Sequence, residues 1–271
     1  MTHSKEIQIH TAENLRKNKD GSLVLEVILN SHKFDFPVVN VGSESEPAYI
    51  AILDPRIPEI QEHGAEVISG FLQELGVSLV ITAPSSKSEK MIKEATLKAG
   101  IEKPPIIAVG GSTQKDGEKY LFTEDEVRDL ASAKKEKAEE LDSAKNKKIW
   151  VEECRPITLA PGEPSKFFAL TEKMIDQIIQ AVKNEETIAV VDDVYSSGAT
   201  IESIQNLLKK AFEERKENLP TVPIIVVARE AVEVDPMFGS EEAALASNED
   251  LNLFAAILIP VLLSLPEDIK E

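Results

Sequence analysis

In Thr187-Ile188-Ala189-Val190-Val191-Asp192-Asp193-Val194-Tyr195-Ser196-Ser197-Gly198-Ala199-Thr200 an apolar run ends in two acids and opens into a loop of hydroxyl residues and glycine. Ile188 to Val191 reads as a strand buried on both faces, and Ile201, Ile204, Leu207, Leu208 and Ala211 then recur at helical spacing, so the loop joins a strand to a helix. At such a junction the first backbone N–H groups of the helix lack partners and lie at the positive end of its dipole. A phosphate is held well there, with the hydroxyls of Ser196, Ser197 and Thr200 as further donors around Gly198 and Ala199. Just upstream, Asp192 and Asp193 are placed to accept from sugar hydroxyls or to approach magnesium, which prefers hard oxygen ligands. A strand end that merely carries acids, followed by a Ser-capped helix, is the plainer alternative.

The elements that must position these groups alternate along the chain. Leu23 to Leu29 and Phe34 to Val41 flank Asn30-Ser31-His32 as a hairpin, and Tyr49 to Leu53 is a short strand. Ile60, Val67, Ile68, Phe71, Leu72 and Leu75 share one helical face that Gly76 closes. Val77 to Thr82 reads as the next strand, Glu89 to Ala99 as a helix ended by Gly100, and Ile106 to Val109 as another strand. Such alternation predicts an α/β fold with a mainly parallel sheet flanked by helices, and a ligand outside the carboxyl ends of the strands.

Composition narrows the function classes. Lys+Arg is 30 against Asp+Glu 48, a net charge of −18, so the surface repels phosphate backbones and anionic membranes: no nucleic-acid partner and no membrane are expected. With 271 residues and 42% hydrophobic content, the chain can bury one large α/β core or two small ones. Cys154 is the single cysteine, which excludes an intramolecular disulfide. Met1-Thr2-His3-Ser4-Lys5 lacks the apolar core of a signal peptide, and a reducing, cytoplasmic setting is expected. Leu251 to Leu265 is strongly apolar but contains Asn252 and Pro260 and falls short of the roughly 20 residues of a membrane span, so it reads as core.

Val190-Val191-Asp192-Asp193-Val194-Tyr195-Ser196-Ser197-Gly198-Ala199-Thr200 resembles the signature of the type I phosphoribosyltransferases: an apolar strand, two acids, two variable residues, two small hydroxyl residues, Gly, any residue, then Thr or Ser. The family generally has an aliphatic residue where Tyr195 stands and Thr where Ser197 stands. Phe36-Pro37-Val38-Val39-Asn40-Val41 and Ala48-Tyr49-Ile50-Ala51-Ile52-Leu53-Asp54 resemble the entry strands of the adenine phosphoribosyltransferase-like branch, and Phe254 to Leu262 resembles the family's last buried strand with its proline-containing turn. The resemblance implies a single phosphoribosyltransferase-like domain over 1–271, with an N-terminal hairpin hood at 1–45 and a charged helical insertion at 112–148.

What the resemblance implies for the site extends to a second loop. After Val80-Ile81-Thr82 the family carries a Pro-Glu-Ala-Lys-Gly type of loop that grips pyrophosphate, and this chain has Pro84-Ser85-Ser86-Lys87-Ser88. Lys87 keeps the cation that would neutralise a diphosphate, the small Ser85, Ser86 and Ser88 allow close backbone approach, and Ser85 stands where the family has Glu. The same stretch also suits a capped, solvated turn. After Ile106-Ile107-Ala108-Val109 the family places a basic pair, whereas Gly110-Gly111 can offer only backbone N–H groups. Cys154-Arg155-Pro156-Ile157-Thr158 resembles the segment after the family's mobile loop, with Arg155 able to reach a phosphate bidentately. Glu153 to Lys166 and the Lys- and Glu-rich stretch with its Thr123/Glu126 capping box fit either a lid or a solvated helical arm.

Other chemistries find no support in the residues. His3, His10, His32 and His63 show no metal-ligand spacing with Cys154, no Gly-x-Ser-x-Gly elbow surrounds Ser196 or Ser197, and Gly110-Gly111-Ser112-Thr113 lacks the lysine of a nucleotide-triphosphate loop. Two functions follow from the resemblance. The first is transfer of phosphoribosyl from phosphoribosyl pyrophosphate to a nucleobase, a purine by resemblance, with magnesium as cofactor, Asp192, Asp193 and Lys87 as catalytic groups and a homodimer as the assembly. The second is a regulatory protein that binds phosphoribosyl pyrophosphate or a nucleoside monophosphate without turnover.

Overall fold

The computed structural model describes residues 7–85, 87–112, 149–154, 166–235 and 237–270. The chain opens with β1 (Gln8–Ile9), β2 (Leu15–Lys17) and a hairpin of β3 (Leu23–Leu29) and β4 (His32–Asn40). His32 pairs with Leu29, so the turn is Asn30-Ser31 alone, both at positive φ (50° and 67°), the left-handed pair that closes two-residue hairpins. The three-residue turn expected from sequence is thus one residue too long. β5 (Tyr49–Ala51) leads to α1 (Pro58–Glu74), β6 (Val77–Thr82), α2 (Glu89–Lys98), β7 (Ile106–Ile107) and β8 (Val109–Ser112). Later come β9 (Ile149–Cys154), β10 (Lys166–Thr171), α3 (Glu172–Lys183), β11 (Thr187–Val191), β12 (Val194–Tyr195), α4 (Ala199–Arg215), β13 (Ile224–Val232), α5 (Glu241–Asp250), β14 (Leu253–Leu262) and α6 (Glu267–Lys270).

The main sheet runs β2-β3-β4-β5-β14-β13-β11-β6-β7, with β1 beside β14 and β12 beside β13. From β14 to β7 neighbours are parallel; from β14 through β5 to β2 they are antiparallel. The fold is therefore α/β, with a mostly parallel sheet flanked by helices and an antiparallel extension built from the N-terminal hairpin. β8, β10 and β9 form a separate three-stranded antiparallel sheet.

Alternation along the central strands divides the core into two layers. Val191, Ile225 and Val227 face α1 and α2, where they meet Ile68, Leu72, Met91 and Ile92. Val190, Ile224 and Val226 face α3 and α4, where they meet Ile178, Ile204, Leu207 and Phe212. Burial on both faces explains why Thr187 to Val191 and Ile224 to Ala228 read as continuous apolar runs rather than alternating ones. The apolar segment near the C-terminus is β14, a central strand, and among the described residues no helix is long and apolar enough to cross a membrane.

Candidate ligand site at the carboxyl ends of the strands

β11 ends at Val191, and the chain turns through Asp192 and Asp193 into the loop that caps α4. Asp192 is buried, and its Oδ1 accepts the Asp193 backbone N–H at 2.9 Å, so one oxygen of this acid shapes the turn. The Asp193 carbonyl accepts from the N–H groups of Val227 and Ala228, at 3.0 and 3.1 Å, which ties the turn to β13. With its backbone held on both sides, the half-buried Asp193 carboxylate stands free of any hydrogen bond to a described residue. Of the two acids, Asp193 is the one open to a ligand.

Gly198 is the N-cap of α4 at φ +80°, in the left-handed region that favours glycine. A Cβ there would lie 2.7 Å from the Tyr195 hydroxyl oxygen and 3.0 Å from its ring. Glycine is required at this position for both reasons. Ser197 Oγ accepts the Ala199 N–H at a long 3.4 Å, and no side chain caps the helix through a hydrogen bond at Gly198, so the positive end of α4 faces outward past Ser196, Ser197 and Thr200. The structure thus brings together Asp192, Asp193, Ser196, Ser197, Gly198, Ala199 and Thr200, as the spacing predicts.

β13 contributes two residues that sequence reasoning missed. Arg229 is buried, donates from Nη1 to Asn248 on α5 and stacks 5.6 Å from the centroid of the Tyr195 ring, bracing the loop from beneath. Burial lowers the pKa of Arg229. Glu230, the next residue, points to the opposite side, and burial, reinforced by the Asp193 carboxylate, raises its carboxyl to about 7. The available signal was the same one that marks β11: an apolar run, Ile224-Ile225-Val226-Val227-Ala228, that stops abruptly in charged residues.

The second loop follows β6. Ser85 Oγ accepts the N–H groups of Lys87 and Ser88 at 3.3 and 3.2 Å, while Ser88 is fully buried with its own hydroxyl unpartnered among the described residues. Two amides of this loop are therefore turned onto Ser85. Lys87 is exposed and close enough to Asp54 to help depress its carboxyl, which the bidentate Arg56 guanidinium already holds at about 2. Gly110 and Gly111 lie within β8, paired with Phe168 and Phe167 of β10. Successive N–H groups of a strand point in opposite directions, so these two do not converge on one anion. Ser86, Arg155 and the charged stretch at 113–148 lie outside the described residues, as do residues 155–165 of the expected lid; Cys154 ends β9 and Lys166 begins β10.

Among the described residues no group of three or more His, Cys, Asp or Glu side chains converges on a metal position. Magnesium commonly takes one or two carboxylates and completes its shell with water and ligand phosphates, a demand that the free Asp193 carboxylate fits. A separate cleft of about 860 Å³ opens between β7 and α3, lined by Leu79, Pro104, Pro105, Ile106, Met174 and Gln177 among others. It shares no residue with the acids or the loop. The candidate site is instead the head of β11, where the open terminus of α4 and the free Asp193 carboxylate lie at the carboxyl ends of parallel strands.

No family model matches the sequence, and no curated protein matches it. Among solved structures the chain is similar to APRTase from Giardia lamblia complexed with 9-deazaadenine, at 10% identity over 75% of this chain and 81% of that one, with a TM-score of 0.39. It is similar also to the adenine phosphoribosyltransferase of Rhodothermus marinus, at 13% identity over 82% and 93% of the two chains and a TM-score of 0.39. The purine phosphoribosyltransferase of Pyrococcus horikoshii gives 10% identity over 74% and 81%, with a TM-score of 0.31.

Proposed function

We propose that this protein binds a ribose 5-phosphate moiety at the head of β11 and α4, and that it transfers phosphoribosyl from phosphoribosyl pyrophosphate to a nucleobase, a purine by resemblance. The observation that carries this reading is the juxtaposition of the free Asp193 carboxylate with the uncapped, Gly198-led terminus of α4. Ser196, Ser197, Thr200 and the backbone at Gly198 and Ala199 hold the 5′-phosphate, and Asp193 accepts from the ribose hydroxyls while Asp192 fixes the turn. In the reaction a base nitrogen donates its electron pair to the anomeric carbon. The bond from that carbon to the diphosphate oxygen breaks, the diphosphate leaves with the pair, and the proton of the base nitrogen passes to water. Magnesium, which Asp193 would help to hold, would supply neutralisation of the diphosphate charge, and Lys87 would add to it. Positioning by the loop and acids does the rest.

A regulatory protein that binds such ligands without turnover is the second reading, favoured by the Ser85-centred turn and by Gly110 and Gly111 standing in a ladder. One experiment decides between them. The full chain is incubated with phosphoribosyl pyrophosphate, magnesium and a panel of nucleobases, and pyrophosphate release is measured beside the melting temperature. Release with one base supports the transferase; stabilisation without release supports the regulator. Neither effect, with ribose 5-phosphate also inert, removes both.

A further inference from the structure

Glu230 is the ionisable group near the site for which the ribose and phosphate roles leave no use. It lies in β13 one pleat beyond Ala228, whose N–H bonds the Asp193 carbonyl, and its register partner in β14 is Ile259. Ala228 and Ile259 both belong to the core layer of α1 and α2, so Glu230 faces that side of the sheet. The residue is half-buried, its carboxyl has no hydrogen bond or ion pair to a described residue, and it is close enough to Asp193 for the two charges to interact.

The order of strands indicates what comes to it. β11 stands between β6 and β13, which puts the Lys87 loop on one flank of Asp193 and Glu230 on the other. In a displacement at the anomeric carbon the entering and departing groups occupy opposite sides. With the diphosphate drawn toward Lys87, the base enters over β13. We propose that Glu230 is the base-side carboxyl of the cleft and accepts a hydrogen bond from an N–H group of the nucleobase. This inference rests on the ribose-phosphate reading of the same site.

The test compares two ligands on the full chain by titration calorimetry: ribose 5-phosphate, and whichever of adenosine, guanosine, inosine and uridine 5′-monophosphate binds tightest. Their ratio of affinities isolates the contribution of the base. Glu230→Ala leaves ribose 5-phosphate affinity within about twofold and cuts the extra affinity of the nucleotide about tenfold, the size of one lost hydrogen bond to a charged group. Glu230→Gln, which keeps an acceptor oxygen, restores part of the loss, a pattern that a packing defect does not give. Melting curves verify that both variants fold. Equal losses for the two ligands, no loss for the nucleotide, or wild-type nucleotide affinity no greater than that of ribose 5-phosphate overturns the inference while the ribose-phosphate site stands. Failure of ribose 5-phosphate to bind the wild-type chain overturns both together.

Discussion

At the head of α4 the groups offered to a ligand are fixed by burial and backbone geometry: Gly198 sits in a conformation and a space that suit only glycine, Asp192 is buried in its own turn, and Arg229 braces Tyr195 from below. At the head of β6, one strand away, Lys87 is solvent-exposed, and the hydroxyl of Ser85 occupies two of the loop's amides. The first region is preorganised and its affinity depends on shape. The second relies on a screened charge, so its contribution varies with salt and is small at each contact. On the proposed reading, a protein built this way would discriminate ribose 5-phosphates strongly and diphosphates weakly.

The largest effect that could break this contrast is expected at Gly198. Gly198→Ala forces a side chain into the left-handed region and against Tyr195, at a cost of about 2–3 kcal/mol, so ribose 5-phosphate affinity measured by calorimetry falls roughly 30- to 100-fold. An affinity unchanged by that substitution means the phosphate lies elsewhere. Asp193→Asn keeps the shape but removes a charged acceptor, and a loss of about tenfold is expected for every ribose-containing ligand.

The pH dependence of stability sharpens the contrast, because Glu230 adds to it from the β11–β13 side. The Glu230 pKa is raised from 4.5 to about 7, so across that window the folded chain holds a proton that the unfolded chain has released, and stability falls as pH rises. Glu230→Gln removes this slope. The stability of the variant relative to wild type, from urea melts, therefore rises between pH 5 and 8, by on the order of 1–3 kcal/mol. A flat difference would show that Glu230 does not titrate there. The smallest effect belongs to the other loop: Lys87→Ala weakens phosphoribosyl pyrophosphate binding by about threefold at low salt and less at high salt. A tenfold, salt-insensitive loss would make the two regions alike.

The same contrast decides what the sequence made legible. The β11–α4 unit was readable because each level agreed: a doubly buried strand, acids at its end, hydroxyl residues and glycine where the backbone must turn, and helical periodicity afterwards. Glu230 and Arg229 were hidden because they are adjacent charges inside what otherwise reads as a buried strand, and only the twist and pairing of β13 with β12 and β14 send them to opposite sides. The strand reading stopped at Val109, ahead of Gly110-Gly111, because glycine marks turns more often than strands. Its place in β8 is set by β10, a partner far along the chain, and long-range pairing leaves no local trace.

The position of β14 bears on how the molecule is made. This strand, Leu253–Leu262, joins the two halves of the main sheet, parallel to β13 on one side and antiparallel to β5 on the other. The hairpin of β3 and β4 leaves a ribosome well before β14, the strand through which β5 meets the parallel half. Until then both halves expose an open edge, each ready to pair with a neighbouring nascent chain. Shortening the chain ahead of Leu253 would therefore leave two unjoined half-sheets rather than a smaller version of the fold.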